Sequence, residues 1–172
     1  MKLITLLSFP LLLLISCTST PLLPAPRVVA QKDLRVEKEV HNRINSFRAS
    51  KGLSRLKYHS QLADIARQHS VSMSKNHQPK KLAISHDGFF LRVRAARYVG
   101  MGAVAENVGA TKLYHSADAP ALVKGWVASK GHLRNIIGNY EFTGVGVHTT
   151  SDGAAYATQL FARKKRAQTY AQ

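Results

Sequence analysis

The spacing of apolar residues changes period along this chain, and that change limits the folds open to it. Between Asp33 and Ser50, Val36, Val40, Ile44 and Phe47 recur every three or four positions, which puts them on one face of a helix. Gly52 follows as a stop. Behind Ser60, a good N-cap residue, Leu62, Ile65, Ala66, His69 and Met73 keep the same register, so a second helix is predicted. Asp118 with Pro120 opens a further helix in which Leu122, Val123 and Trp126 share a face. Toward the carboxyl end the period falls to two. Val145 and Val147 alternate with glycines, Ser151-Asp152-Gly153 reads as a turn, and Tyr156 to Phe161 reads as a returning strand. Helices first and an antiparallel hairpin last imply an α+β class. On this reading His69 is a hydrogen-bonded core histidine and the lone Trp126 is a core anchor.

The amino terminus carries a different message. Lys2 precedes an apolar stretch from Leu3 to Ile15, interrupted by Pro10; it is too short to span a bilayer and reads as an export signal over residues 1–16. Leu14-Ile15-Ser16-Cys17 resembles the lipobox of bacterial lipoproteins, which implies lipidation of Cys17 and a membrane anchor at the extracytoplasmic face of a bacterial cell envelope. Several acyl chains on one residue hold a protein stably, whereas one chain binds marginally. Pro21, Pro24 and Pro26 make residues 17–31 an extended tether. One domain is expected at 32–166, followed by a tail at 167–172. Cys17 is the only cysteine, so no intramolecular disulfide is available and the core must supply the stability. Roughly 140 residues beyond the tether suffice for that.

Three positions sit in local patterns that core packing does not explain. His86 lies in Ser85-His86-Asp87-Gly88-Phe89-Phe90, Glu106 in Ala105-Glu106-Asn107-Val108-Gly109, and His132 in Trp126-Val127-Ala128-Ser129-Lys130-Gly131-His132-Leu133-Arg134-Asn135-Ile136. Together they resemble the CAP domain, the SCP-like family of cysteine-rich secretory, antigen 5 and pathogenesis-related proteins, and most of all its bacterial branch. Earlier pieces agree in order: Asn45-Ser46-Phe47-Arg48, Gly52-Leu53 with Leu56, and the second helix through Met73. Later ones do too, in Thr143-Gly144-Val145-Gly146-Val147 and Tyr156-Ala157-Thr158-Gln159-Leu160-Phe161. The resemblance covers most of residues 33–166. It implies an α-β-α sandwich around a small antiparallel sheet, with His86, Glu106 and His132 converging on one cleft.

Two imidazoles and a carboxylate form the ligand set of an open Zn²⁺ site, so His86, Glu106 and His132 are candidate ligands for zinc or another divalent cation. In many eukaryotic members of the family a second glutamate stands where this chain has Ser129, so the four-residue pattern is reduced to a triad. The alternative is a metal-free, structural cleft. Ser129, His132 and Glu106 also raise a nucleophilic relay. Against it, Ser129 and His132 are neighbours on one segment, Ser129 is suited to turning a helix end, and no Gly-x-Ser-x-Gly elbow exists. The balance leans away from catalysis.

Charge is the second functional clue. Lys and Arg total 25 against 9 acidic residues, for a net charge of +16. Basic residues gather at Lys80-Lys81, at Arg92, Arg94 and Arg97, and at Arg163-Lys164-Lys165-Arg166. Such a field draws in anionic surfaces, so anionic glycans and phospholipid headgroups are the expected partners. Nucleic acid fits poorly, because no aromatic residues interleave the basic clusters. The last basic run is read either as part of that face or as a tail, since the alternation stops at Phe161. The expectation is a lipid-anchored surface binding or adhesion module; a metal-dependent binder or hydrolase and a lipid or sterol carrier are the alternatives.

Overall fold

The computed structural model describes residues 29–112 and 118–165. The export signal, Cys17, most of the tether, Arg166 and residues 167–172 lie outside the described residues. In chain order the elements are α1 (Gln31–Ser50), β1 (Lys57–Tyr58), α2 (Ser60–Ser74), α3 (Phe89–Tyr98), β2 (Met101–Thr111), α4 (Asp118–Ala128), α5 (Lys130–Ile137), β3 (Phe142–Thr149) and β4 (Ala155–Lys164). The sheet order is β1-β3-β4-β2. The three long strands are antiparallel, and the two-residue β1 joins β3 in parallel, so the sheet is mixed at one edge. No helix among the described residues is long and apolar enough to cross a membrane.

The predicted sandwich follows from the two faces of the strands. Val145 and Val147 of β3 and Ala155, Ala157 and Phe161 of β4 point toward α1, α4 and α5, where they bury with Val36, Val40, Ile44, Leu122, Trp126 and Ile136. On the opposite face Leu160 and Ala162 pack with Leu62 and Ala66 of α2, Ala96 of α3 and Met101. Tyr156 and Val108 continue that layer with Met73. The periodic residues of α1 and α2 are thus the residues that each helix turns inward. His59, rather than Ser60, caps α2; its side chain accepts from the Leu62 N–H at 3.4 Å. Strand β4 runs on to Lys164, so the basic run that begins at Arg163 starts inside the sheet and not in a tail.

The glycines of β3 set the thickness of the second layer. A Cβ on Gly146 would lie 2.0 Å from the backbone nitrogen of Arg67, and one on Gly144 would lie 2.2 Å from that of Ala63. The backbone of α2 therefore rests directly on the strand. Ser70 uses this closeness, donating to the Gly146 carbonyl at 2.9 Å. Beyond the reach of the short β1, the β3 edge is finished by side chains. Glu37 of α1 accepts from the Val147 N–H at 3.0 Å and from Arg67 of α2 at 2.8 and 2.7 Å. Burial pushes the Glu37 carboxyl above its ordinary range, while Arg67 and the Val147 N–H pull the other way.

Because a helix backbone cannot yield as a side chain can, Gly146→Ala is expected to lower unfolding stability by about 3 kcal/mol. Urea denaturation followed by far-ultraviolet circular dichroism is the measurement, and a change within about 0.5 kcal/mol, the range of an ordinary surface substitution, would contradict the contact.

Candidate functional site

The site forms along β2, the edge strand, whose alternation sends Glu106 to the α3 side and Asn107 to the α5 side. Glu106 is 5 % exposed, and a buried carboxylate needs partners. Arg92 of α3 provides the main one. Its Nε donates to Oε2 and its Nη2 donates to Oε1 at 2.7 Å, a two-point pairing that matches the planar fork of a guanidinium. His86 Nδ1 lies 2.9 Å from the same Oε1. A carboxylate there accepts, so Nδ1 carries the proton and Nε2 is left facing outward on a side chain that is 54 % exposed.

The loop that delivers His86 is itself held by this guanidinium. Arg92 Nη1 donates to the Asp87 carbonyl at 2.8 Å and Nη2 to the His86 carbonyl at 3.3 Å. Gly88, at φ 69°, makes the left-handed turn into α3. From below, His69 Nε2 donates to the Ser85 carbonyl at 2.9 Å. His69 is thus the buried, hydrogen-bonded histidine that its place on the α2 stripe predicts, and burial lowers its pKa.

On the other side, α5 brings His132. Asn107 Nδ2 donates to the His132 carbonyl at 3.2 Å, and Asn135 Nδ2 donates to Asn107 Oδ1 and to the Glu106 carbonyl, both at 2.9 Å. Arg48 of α1 secures the far end of α5 through the Ile136 carbonyl at 2.7 Å and the Gly138 carbonyl at 3.0 Å. Gly109 lies under α4, where a Cβ would sit 3.0 Å from Trp126 Nε1, and that Nε1 donates to the Val108 carbonyl at 2.8 Å. The His86 and His132 rings end 6.5 Å apart between centroids. Burial, and secondly the charge of His86, lower the His132 pKa. Ser129 is the N-cap of α5, without a side-chain cap bond, which agrees with its turning role.

A model of the cysteine-rich secretory protein family, CAP, matches residues 41–161. The chain belongs to the CAP family. An extracellular protein containing an SCP domain from Bacillus anthracis superposes with a TM-score of 0.64 at 28% identity, over 77% of this chain and 41% of that one. A cysteine-rich secretory protein of Staphylococcus aureus does so with a TM-score of 0.59 at 22% identity, over 81% of this chain and 42% of that one. An uncharacterized membrane protein of Bacillus subtilis is 28% identical over 129 residues, which are 74% of this chain. The chain spans only 34% of that relative's length.

The CAP cleft brings His86, Glu106 and His132 together, yet its donors do not suit a divalent cation. Both Glu106 oxygens already face the Arg92 guanidinium, so the positive charge that a metal would supply is present as a side chain. Three donors from Arg92 and His86 already occupy the two Glu106 oxygens, so the carboxylate is turned to the guanidinium and not presented between the two imidazoles. Among the described residues no group of three His, Cys, Asp or Glu side chains is placed to hold a metal ion.

Arg92 also corrects the basic face read from the sequence. It is 8 % exposed, whereas Arg94, Arg97, Lys80 and Lys81 are exposed. The reason is helical geometry: residues two apart project about 200° from one another, so Arg92 and Arg94 cannot share a face, while Arg94 and Arg97 do. That angular rule, applied to a helix at 89–98, sets Arg92 apart from Arg94 and Arg97, and only the fold decides that Arg92 is the one turned toward Glu106.

Removing one member of a buried ion pair strands the other. Arg92→Ala should therefore cost about 3–5 kcal/mol in urea unfolding, and Arg92→Lys should recover only part of it, because an ammonium cannot reproduce the fork. Loss below about 0.5 kcal/mol for Arg92→Ala would show that Glu106 is satisfied without it.

The two depressed histidines imply a pH dependence with a definite sign. In the unfolded chain His69 and His132 take up protons near pH 6.5, and in the folded chain they do so lower. Within that interval the unfolded state binds more protons, so stability is full above about pH 6.5 and declines as pH falls through the folded values. Melting temperature measured from pH 7.5 downward should fall in that interval, with a shallower decline in His132→Asn.

Proposed function

We propose that this CAP domain is an envelope-associated binding module whose basic face engages anionic surfaces, with lipidation of Cys17 keeping it beside a membrane. The observation that carries the reading is the state of its exposed cations. None of the ion pairs among the described residues involves Arg94, Arg97, Lys80 or Lys81, and α3 contains no acidic residue. Uncompensated cations on a chain of net charge +16 favour rapid, salt-sensitive association with anionic polymers and headgroups. An exported setting is supported by the B. anthracis protein, described as extracellular, and the B. subtilis relative, described as a membrane protein.

On this reading the His86–Glu106–His132 cleft is architecture that positions α3 and α5. Its exposed His86 Nε2 leaves a binding or proton-transfer role open to it, but neither metal chemistry nor a serine relay is supported by the partners that these side chains have.

The charge reading predicts retention on heparin and on anionic vesicles at low salt, with affinity falling steeply as salt rises. Arg94→Glu together with Arg97→Glu should weaken retention at least about tenfold, as expected where like charges oppose docking. Retention that does not change with salt would rule it out.

A further inference from the structure

The outward face of α3 carries more than charge. Residues 90, 91, 94, 97 and 98 fall within an arc of about 120° on the helix, and the chain places Phe90, Leu91, Arg94, Arg97 and Tyr98 there. Phe90 is 70 % exposed, Leu91 54 % and Tyr98 78 %, and Ile84, just ahead of the helix, is 48 %. A solvent-facing arc of a surface helix is normally polar. Here the helical turn corrects the linear reading that no aromatic residue interleaves the basic clusters: Phe90 and Tyr98, with Leu91, stand among the unpaired Arg94 and Arg97, and no acidic side chain stands on the helix.

We propose that this face of α3 docks on an anionic phospholipid bilayer, with Phe90, Leu91 and Tyr98 entering the headgroup region and Arg94 and Arg97 meeting the lipid phosphates. The proposal deepens the charge reading above and rests on it. The face is the convex side of a single helix rather than a groove, so it is shaped to lie on a plane. Its composition is that of an interfacial helix, in which apolar side chains sink into the headgroup boundary and basic ones stay level with the phosphates. Aromatic rings favour that depth, and arginine stems can lie along apolar surface while their guanidinium groups reach outward. A soluble anionic polymer would account for the two arginines but not for the three apolar neighbours. The inward residue Arg92 ties α3 to Glu106 and to the loop at Asp87, so the helix presents this face without having to fold on contact.

The test uses the full chain carrying Cys17→Ala, so that no acyl chain holds it to the vesicle, with Phe90→Trp as a reporter. The native Trp126 is buried at 2 % exposure, and its emission verifies that each variant folds. Tyr58→Trp, at a position 50 % exposed on β1, is the control away from α3. With phosphatidylglycerol vesicles, the emission added by Phe90→Trp should move to the blue and be quenched by brominated acyl chains, while that added by Tyr58→Trp should do neither. Whatever residues 1–28 add to sedimentation, emission at position 90 reports α3 itself. Phe90→Ala and Tyr98→Ala should each weaken the vesicle-dependent shift of a Leu91→Trp reporter roughly tenfold, the loss of about one half-buried apolar side chain, and should leave heparin retention unchanged. If the Phe90→Trp protein is retained on heparin at low salt while its reporter stays unshifted and unquenched by these vesicles, insertion is overturned and the charge reading stands. An equal shift on neutral phosphatidylcholine would overturn the role given to the arginines. Absence of both vesicle binding and heparin retention at low salt would remove the charge reading and this proposal together.

Discussion

A carboxylate buried at the edge of a sheet sets the terms for half of this domain. Glu106 projects inward from β2 at 5 % exposure, and the folded state must bring it a counter-charge or keep it protonated. Arg92 answers with two contacts to the carboxylate and two more to the carbonyls of His86 and Asp87. The same guanidinium thus neutralises the strand and closes the loop leading into α3. His86, clamped against Oε1, inherits its orientation from this arrangement, and the rotational setting of α3 follows from the need to aim Arg92 inward. The neighbouring Asn107 does the equivalent work on the opposite face with neutral groups, fixing the start of α5 through the His132 carbonyl.

How much of this was legible depends on how cleanly each segment separates its apolar and polar faces. Helices α1 and α2 were readable because Val36, Val40 and Ile44, and Leu62, Ala66 and Met73, fall on single stripes that the sheet then covers. The β3–β4 hairpin was readable because Val145 and Val147 alternate with glycines, Tyr156 to Phe161 is rich in strand-forming residues, and its turn is Ser151-Asp152-Gly153. Helix α3 was not, since Phe90, Leu91 and Tyr98 face outward while Arg92 faces inward, and a pattern that inverts the usual faces gives no helical stripe. Strand β2 hides for another reason: its alternation is carried by small residues and by Glu106 and Asn107, whose burial depends on partners far along the chain. Helix α5 has one fully buried side chain, Ile136, too few to register as a period. The cleft residues could be named from their motifs, but the ion pair that decides what the cleft can hold was invisible, because Arg92 looked like one more member of a basic cluster.

That misplacement bears on chemistry. A triad of two histidines and a glutamate suggests a metal only when the carboxylate is free to coordinate. Here a guanidinium supplies the positive charge, with five donors of fixed geometry and a proton that it does not release. The ring of His132 is held below its ordinary pKa by burial, so it is neutral at neutral pH and makes no demand for a second carboxylate. Ser129, standing where many eukaryotic members of the family carry a glutamate, fits a cleft whose carboxylate already has its counter-charge in Arg92.

Inverting the faces of α3 also explains why one short helix can serve both the fold and a surface. A helix that buries leucines and exposes arginines is held in place by its apolar stripe, and moving apolar residues outward would ordinarily release it. In α3 the inward hold comes from Arg92 on Glu106, from Ala96 at 0 % exposure against the α2 layer, and from the loop carbonyls, so Phe90, Leu91 and Tyr98 are not required for packing. The ion pair therefore does two things at once: it gives Glu106 its counter-charge from within the chain and leaves the outer arc of the helix free to carry apolar side chains. A domain that relied on those three side chains for its core could not present them to a membrane without loosening.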